Sequence, residues 1–207
     1  SSSLQHGRWA CIPTLACRHV RPGVAQQVAM GGGSSAPKEI RAVFIGMPGA
    51  GAKALAGRAA TGEFPATEAE SSASLEWRQV RRTFEELDLH LLGLGSQTGL
   101  WREHLPSCQV LVFVVDGSKD IDATKVSSTF QSAFKDHGLP EGTPVVVLLN
   151  KMDLVEASIG EERKAIMAAS MAGGGAMTQC KICNVSAKTG DDVDEAVRVI
   201  CGNTLTF

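Results

Sequence analysis

The sequence predicts an α/β fold, a sheet with crossover helices, and three observations predict it. Apolar runs of strand length alternate with helix-length stretches once a Gly/Ser-rich linker has been passed. One such run, Ile40–Ile45, ends at Gly46 and passes through a glycine-rich loop into a helical stretch, the context that a phosphate-binding loop requires. Two later runs end in short polar signatures, at the carboxyl ends of strands where open α/β sheets bind ligands.

Each element follows from its local pattern. Ile40–Ile45 is a strand, and Lys53–Ala60 a helix. Leu75–Arg81 and Phe84–Leu92 read as two neighbouring strands at an antiparallel edge; in the second, Leu87, Leu89 and Leu91 alternate with Asp88 and His90, the period of a strand with one wetter face. Gly93–Thr98 reads as a flexible loop leading to a short helix over Leu100–Leu105 and a buried strand, Val110–Val115. Asp120–His137 has the spacing of an amphipathic helix with Ile121, Val126, Phe130 and Phe134 on its apolar face. Val145–Leu149 is the next core strand, Glu156–Met171 a helix closed by three glycines, Lys181–Val185 the last strand and Val193–Ile200 the last helix.

Composition limits the function classes. With 207 residues, 43% of them hydrophobic, the chain can bury one full core, so one domain (38–207) preceded by an extension (1–37) is expected. No apolar run approaches the roughly 20 residues that cross a bilayer. The extension carries Arg8, Arg18 and Arg21 and no acid, which leaves 17 of the 20 basic residues against all 22 acidic ones in the body. An acidic body has no electrostatic footprint for nucleic acid, so no nucleic-acid partner is expected. The basic leader reads either as transit-like, suggesting a mitochondrial or other organellar location, or as a disordered tail. Met30-Gly31-Gly32-Gly33-Ser34-Ser35 also fits an N-myristoylation signal if Met30 is the start, and membrane contact is expected only if Gly31 is modified; the alternative location is then cytoplasmic and membrane-associated. The six cysteines form no disulfide framework, which suggests a reducing compartment. Cys180 and Cys183 spell C-x-x-C but lie on a predicted strand, where they face opposite sides, so no metal site is expected there.

The chemistry is carried by three stretches. "GMPGAGAKA", Gly46 to Ala54, resembles the pattern G-x-x-x-x-G-K-S/T, in which backbone N–H groups and a lysine meet phosphates while a hydroxyl holds Mg²⁺. Gly46, Gly49, Gly51 and Lys53 are the phosphate-side candidates, although Ala52 stands where the lysine belongs and Lys53 comes one residue late, turned by roughly 100° on a helix. Asn150-Lys151-Met152-Asp153 and Ser186-Ala187-Lys188 are guanine-reading signals. A carboxylate at Asp153 can accept from both N1–H and N2–H₂ of guanine, a pairing adenine cannot offer. Asn150 would contact the N7 edge and tie the loops together, the Ala187 N–H would meet O6, and the stems of Lys151 and Lys188 would lie along the base. Of the remaining residues, Asp116 reads as a helix cap, Trp101 as core, Trp77 as core or interface, and His90 and His104 as surface or packing residues.

With these motifs the chain resembles a small GTPase of the Ras superfamily, nearest to the ADP-ribosylation factor and Arf-like branch. "TGEFP" (Thr61–Pro65), "LWREHL" (Leu100–Leu105) and "VLVFVVDGSKD" (Val110–Asp120) carry the resemblance, with a Rab-like "VSAKTGDDVDEAV" near the end; it covers about residues 39 to 203. It implies a P-loop NTPase fold with a six-stranded mixed sheet flanked by helices, and GTP or GDP as ligand. It also exposes departures. Ungapped counting puts Glu70, with Ser71 beside it, where the family has its metal-binding threonine. In the second switch either Gly93 or Leu92 replaces the metal-linked aspartate, with Gln97 or Ser96 at the water-orienting position. Gln97 is the candidate catalytic residue, and no metal ligand is assigned, which puts Mg²⁺ in doubt.

The expected function is therefore a GTPase-fold protein that turns over GTP negligibly and acts as an interaction or structural subunit of a multi-protein assembly. A guanine nucleotide, if retained, would serve as a structural cofactor. The alternative is an active Arf-like GTP/GDP switch that recruits effectors in trafficking or organelle function.

Overall fold

Val110–Val115 and Val145–Leu149 are buried at every position, as unbroken apolar strands are when helices cover both faces of a parallel sheet. The computed structural model describes residues 38–64, 78–84, 87–172 and 180–205. Its elements in chain order are β1 (Lys38–Gly46), α1 (Ala52–Thr61), β2 (Arg78–Phe84), β3 (Leu87–Gly95), α2 (Thr98–His104), β4 (Val110–Asp116), α3 (Ala123–Lys135), β5 (Val145–Asn150), α4 (Ala157–Ala172), β6 (Cys180–Asn184) and α5 (Val193–Leu205). Single 3₁₀ turns occupy Leu105–Ser107 and Met152–Leu154.

The six described strands form one sheet in the order β2-β3-β1-β4-β5-β6. All neighbours are parallel except β2 and β3, so the sheet is mixed, with its antiparallel strand at one edge. Two cores flank it. Ile40, Ala42, Phe44, Leu89 and Leu91 face α1 and α5, while Val43, Ile45, Leu92 and Leu94 face the layer of α2, α3 and α4. β1 sits at the centre, and connections leave it in both directions, which places a switch in strand order at its carboxyl end.

Several boundaries differ from the sequence reading. The edge strands lie three residues later than expected, and Gly93–Gly95, expected as loop, ends β3. Pairing decides this: Phe44 opposes Gly93 and Ile45 opposes Gly95, with a bulge between them. The wetter face of β3 is also drier than its alternation implies, because His90 is only 7% exposed and lies 3.6 Å from the Glu39 carboxylate. α3 begins at Ala123, not Asp120, because Asp122 caps it by accepting from the Lys125 N–H at 3.0 Å. No described helix is long and apolar enough to cross a membrane. The extension 1–37 lies outside the described residues, as do Glu70, Ser71 and Trp77.

Candidate functional site

The glycine loop is shaped by close approach. β1 ends at Gly46, where a Cβ would collide with the Val114 carbonyl, and the Met47 N–H donates to that same oxygen at 3.2 Å. Gly49 and Gly51 follow with φ of 76° and 84°, a region that side chains avoid. α1 then starts regularly, its first bond running from the Leu55 N–H to the Gly51 carbonyl at 2.9 Å. The N–H groups of Ala52, Lys53 and Ala54 have no acceptor among the described residues, and no acidic side chain stands in the first turn. Open N–H groups at the positive end of a helix dipole are a fit for phosphate oxygens.

Because the helix starts without a bulge, Lys53 is turned away from the usual lysine direction. Its stem lies across the end of β3: a Cβ built at Gly95 would be 3.8 Å from its Cγ and Cε, and one at Gly93 would be 3.1 Å from its Cα. Sheet parity also separates the two registers of the second switch. Leu89 and Leu91 face α1 and Gly93 continues that side, whereas Leu92 packs into the opposite core. Gly93 therefore stands in the aspartate's place. Gln97 occupies the N-cap position of α2, and its Oε1 is buried without a partner among the described residues. Among the described residues, the two positions that carry metal-side groups in the phosphate-loop and second-switch patterns offer a divalent metal no oxygen ligand. The hydroxyl position two residues after Gly51 is Lys53, and the aspartate position is Gly93.

The second half of the site is built on Asn150, 2% exposed at the end of β5. Its Nδ2 donates to the Ala50 carbonyl at 2.8 Å, and its Oδ1 accepts from the Ala187 N–H at 2.9 Å. Asn150 thus ties the loops together, as expected. The Ala187 N–H and one of the two Asn150 amide hydrogens are taken by protein partners, as buried polar groups at a strand end require, and the second Nδ2 hydrogen is left for the base expected at this edge. Ser186, fully buried, donates from Oγ to Asp153 Oδ1 at 2.6 Å and accepts from the Thr189 N–H at 3.1 Å. This fixes the carboxylate and leaves Asp153 Oδ2 for a ligand.

Lys151, at φ 67°, donates from Nζ to Asp116 Oδ2 at 2.8 Å. Asp116 also accepts from the Ser118 N–H and hydroxyl at 3.0 and 2.6 Å, so it organises a turn and holds Lys151 rather than capping a helix. Burial pushes its carboxyl up, but hydrogen bonds from Lys151 and Ser118 and the Lys151 charge outweigh that and hold it below the ordinary value.

A cleft of about 200 Å³ brings Gly51, Asn150, Lys151, Asp153, Ala187 and Lys188 together. Lysine stems and apolar side chains with a carboxylate on one wall fit a flat base bearing N–H donors. The sequence reading missed Phe64, Leu154 and Ala54, which also line the cleft, and Phe64 and Leu154 are 43% and 62% exposed. For Leu154 the available signal was its place directly after Asn150–Asp153; Phe64, far off in the chain, had none of that kind. It also missed Arg58, whose guanidinium reaches from α1 to the Thr189 carbonyl at 3.1 Å. Trp101 is core, 1% exposed, and its indole N–H donates to the Gly95 carbonyl at 3.2 Å. His104 is half-buried. Cys180 and Cys183 pack into opposite cores; burial pushes the first thiol up to about 11 and raises the second.

Comparison with known proteins places this geometry. Residues 28–204 match the model of the ADP-ribosylation factor family. ADP-ribosylation factor-like protein 3 of Saccharomyces cerevisiae is 28% identical over 105 residues, 51% of this chain and 52% of that protein. The GTPase Obg of Rubrobacter xylanophilus is 29% identical over 168 residues, 76% of this chain and 37% of its own length. The chain thus spans about half or less of the length of these relatives. Among solved structures, the Arl6 BBS3 small GTPase from Trypanosoma brucei with bound GppNp superposes with a TM-score of 0.61 at 19% identity, covering 82% of this chain and 99% of that one. Translation elongation factor SelB from Methanococcus maripaludis, with a GTP analogue, gives 0.62 at 18% identity over 80% of this chain and 34% of its own. Both likenesses show the shared fold.

Proposed function

Since the chain belongs to the ADP-ribosylation factor family, matched over residues 28–204, we propose that it holds a guanine nucleotide without turning it over and acts through its surface as a subunit of a larger assembly. The observation that carries this reading is the contrast between the two halves of one site. On the base side, the Asp153 carboxylate is fixed by Ser186, and Asn150 locks the loop that carries Ala187 to the phosphate loop. On the phosphate side, the in-register lysine is Ala52 and the metal-linked aspartate is Gly93.

Asp153 selects guanine by accepting from its two adjacent donors, and Lys151 and Lys188 flank the ring with their stems. Ala52, Lys53 and Ala54 offer their N–H groups to phosphate oxygens. Transfer of a phosphoryl group depends on positioning and on neutralising charge at the transferred oxygens, so a site without the metal donors and the usual lysine supports binding far better than turnover. A nucleotide held in this way stabilises the fold by mass action. The surface that it stabilises is then the functional product.

The test is to denature the freshly purified chain, identify any released nucleotide by chromatography and mass spectrometry, and follow GTP turnover by the intact chain. Near-stoichiometric GDP or GTP with no hydrolysis above the spontaneous rate is expected. Steady turnover abolished by Asp153→Ala would make the chain an active switch, and the absence of any guanine nucleotide would leave a fold retained for its surfaces alone.

A further inference from the structure

We propose that the Lys53 ammonium takes the place of the divalent metal beside the phosphates, so that nucleotide binding by this chain is independent of Mg²⁺. The inference rests on the reading that the cleft holds a guanine nucleotide. It starts from register. Lys53 stands two residues after Gly51, where the phosphate-loop pattern carries the hydroxyl that faces the metal, and the regular start of α1 gives it that hydroxyl's direction. A lysine there is not a displaced copy of the usual one but a cation at the metal's side of the loop.

The end of β3 is matched to it. Gly93 faces α1 where the family pattern has an aspartate, and a Cβ there would lie 3.1 Å from Lys53 Cα and 3.2 Å from Ala56 Cβ. The close packing of α1 on β3 is made possible by that glycine, and the Lys53 stem runs over Gly93 and Gly95. An aspartate at position 93 would also pair with the ammonium and cancel it. With glycine there, no ion pair or hydrogen bond of Lys53 is seen among the described residues, and its half-buried stem runs along the strand end to Gly95.

Charge balance agrees. A divalent cation held by one aspartate presents a net charge of about +1 to the phosphates, and an ammonium beside a glycine presents the same charge. The two substitutions compensate each other: Lys53 with an aspartate would be neutralised, and Gly93 without Lys53 would leave the phosphates without a cation.

The experiment uses the full chain, stripped of nucleotide, and fluorescence titration with N-methylanthraniloyl-GDP in excess Mg²⁺ and in excess EDTA. The dissociation constants are expected to agree within about twofold. Lys53→Gln should raise the constant about tenfold or more in both media, the size of a lost charge-assisted contact, while Lys53→Arg keeps most of the affinity. Circular dichroism of the nucleotide-free variants checks that they fold. A tenfold loss of wild-type affinity in EDTA, or wild-type affinity in folded Lys53→Gln, overturns the inference while leaving the nucleotide reading intact. No binding of the probe in either medium overturns the nucleotide reading and this inference with it.

Discussion

At the scale of single residues, two aspartates with different environments do different work. Asp116 is nearly buried and receives three hydrogen bonds, one of them from the Lys151 ammonium, so its folded-state pKa is depressed. A depressed carboxylate contributes stability that is present above the unfolded pKa, about 3.9, and is lost as pH falls through the folded value. Asp116→Asn should therefore cost about 1–2 kcal/mol at pH 7, with the difference from the parent shrinking below about pH 4; urea melts at pH 7 and in stepwise acid check both the size and the sign. Asp153 is exposed, with one oxygen held by Ser186 and the other available to a ligand. Asp153→Asn replaces an acceptor with an amide donor opposite the guanine amino group. GDP binding should weaken about a hundredfold, while xanthosine diphosphate, which carries a carbonyl at that ring position, should gain, as competition titrations with the two nucleotides would read.

At the scale of elements, the site depends on how strand ends are joined rather than on any one strand. Asn150 links the carboxyl end of β5 to the phosphate loop and to the loop before α5, and both of its side-chain groups are used. Asn150→Ala would leave the Ala50 carbonyl and the Ala187 N–H without partners in a buried place, a loss of about 2–4 kcal/mol. A denaturant midpoint close to that of the parent would show that water replaces both bonds. This joint was legible in the sequence because N-K-x-D and S-A-K each follow an apolar run, and β4 and β5 were legible because strands covered on both faces lack polar interruptions. The edge was not. Gly93–Gly95 reads as loop because glycine carries no side-chain pattern, and only pairing with Phe44 and Ile45 makes it strand. The Asp116 turn was misread for a similar reason: its partner Lys151 lies 35 residues away, beyond the reach of a capping pattern.

At the scale of the whole molecule, the cleft is where segments distant in sequence meet. Gly51 from the α1 end, Asn150 and Asp153 from β5 and its turn, and Ala187 from the loop before α5 line one space, and Arg58 to Thr189 adds a second tie between α1 and that loop. A ligand bound there adds contacts across the same joint that Asn150 and Arg58 already tie, so its binding energy adds to global stability instead of stiffening one loop. At a hundred times its dissociation constant, GDP should add about 2.7 kcal/mol, which for a domain of this size raises the melting temperature by about 5–10 °C. ATP at the same concentration should not, because adenine offers Asp153 no paired donors. If Lys53 supplies the phosphate-side charge, the GDP shift persists undiminished in EDTA. Differential scanning fluorimetry of the stripped chain distinguishes the outcomes. A shift with GDP alone in both media joins the base reader to the ammonium; equal shifts with GDP and ATP would remove Asp153 from recognition; and a shift that requires Mg²⁺ would return the phosphate side to metal chemistry that Gly93 and Lys53 are poorly placed to support.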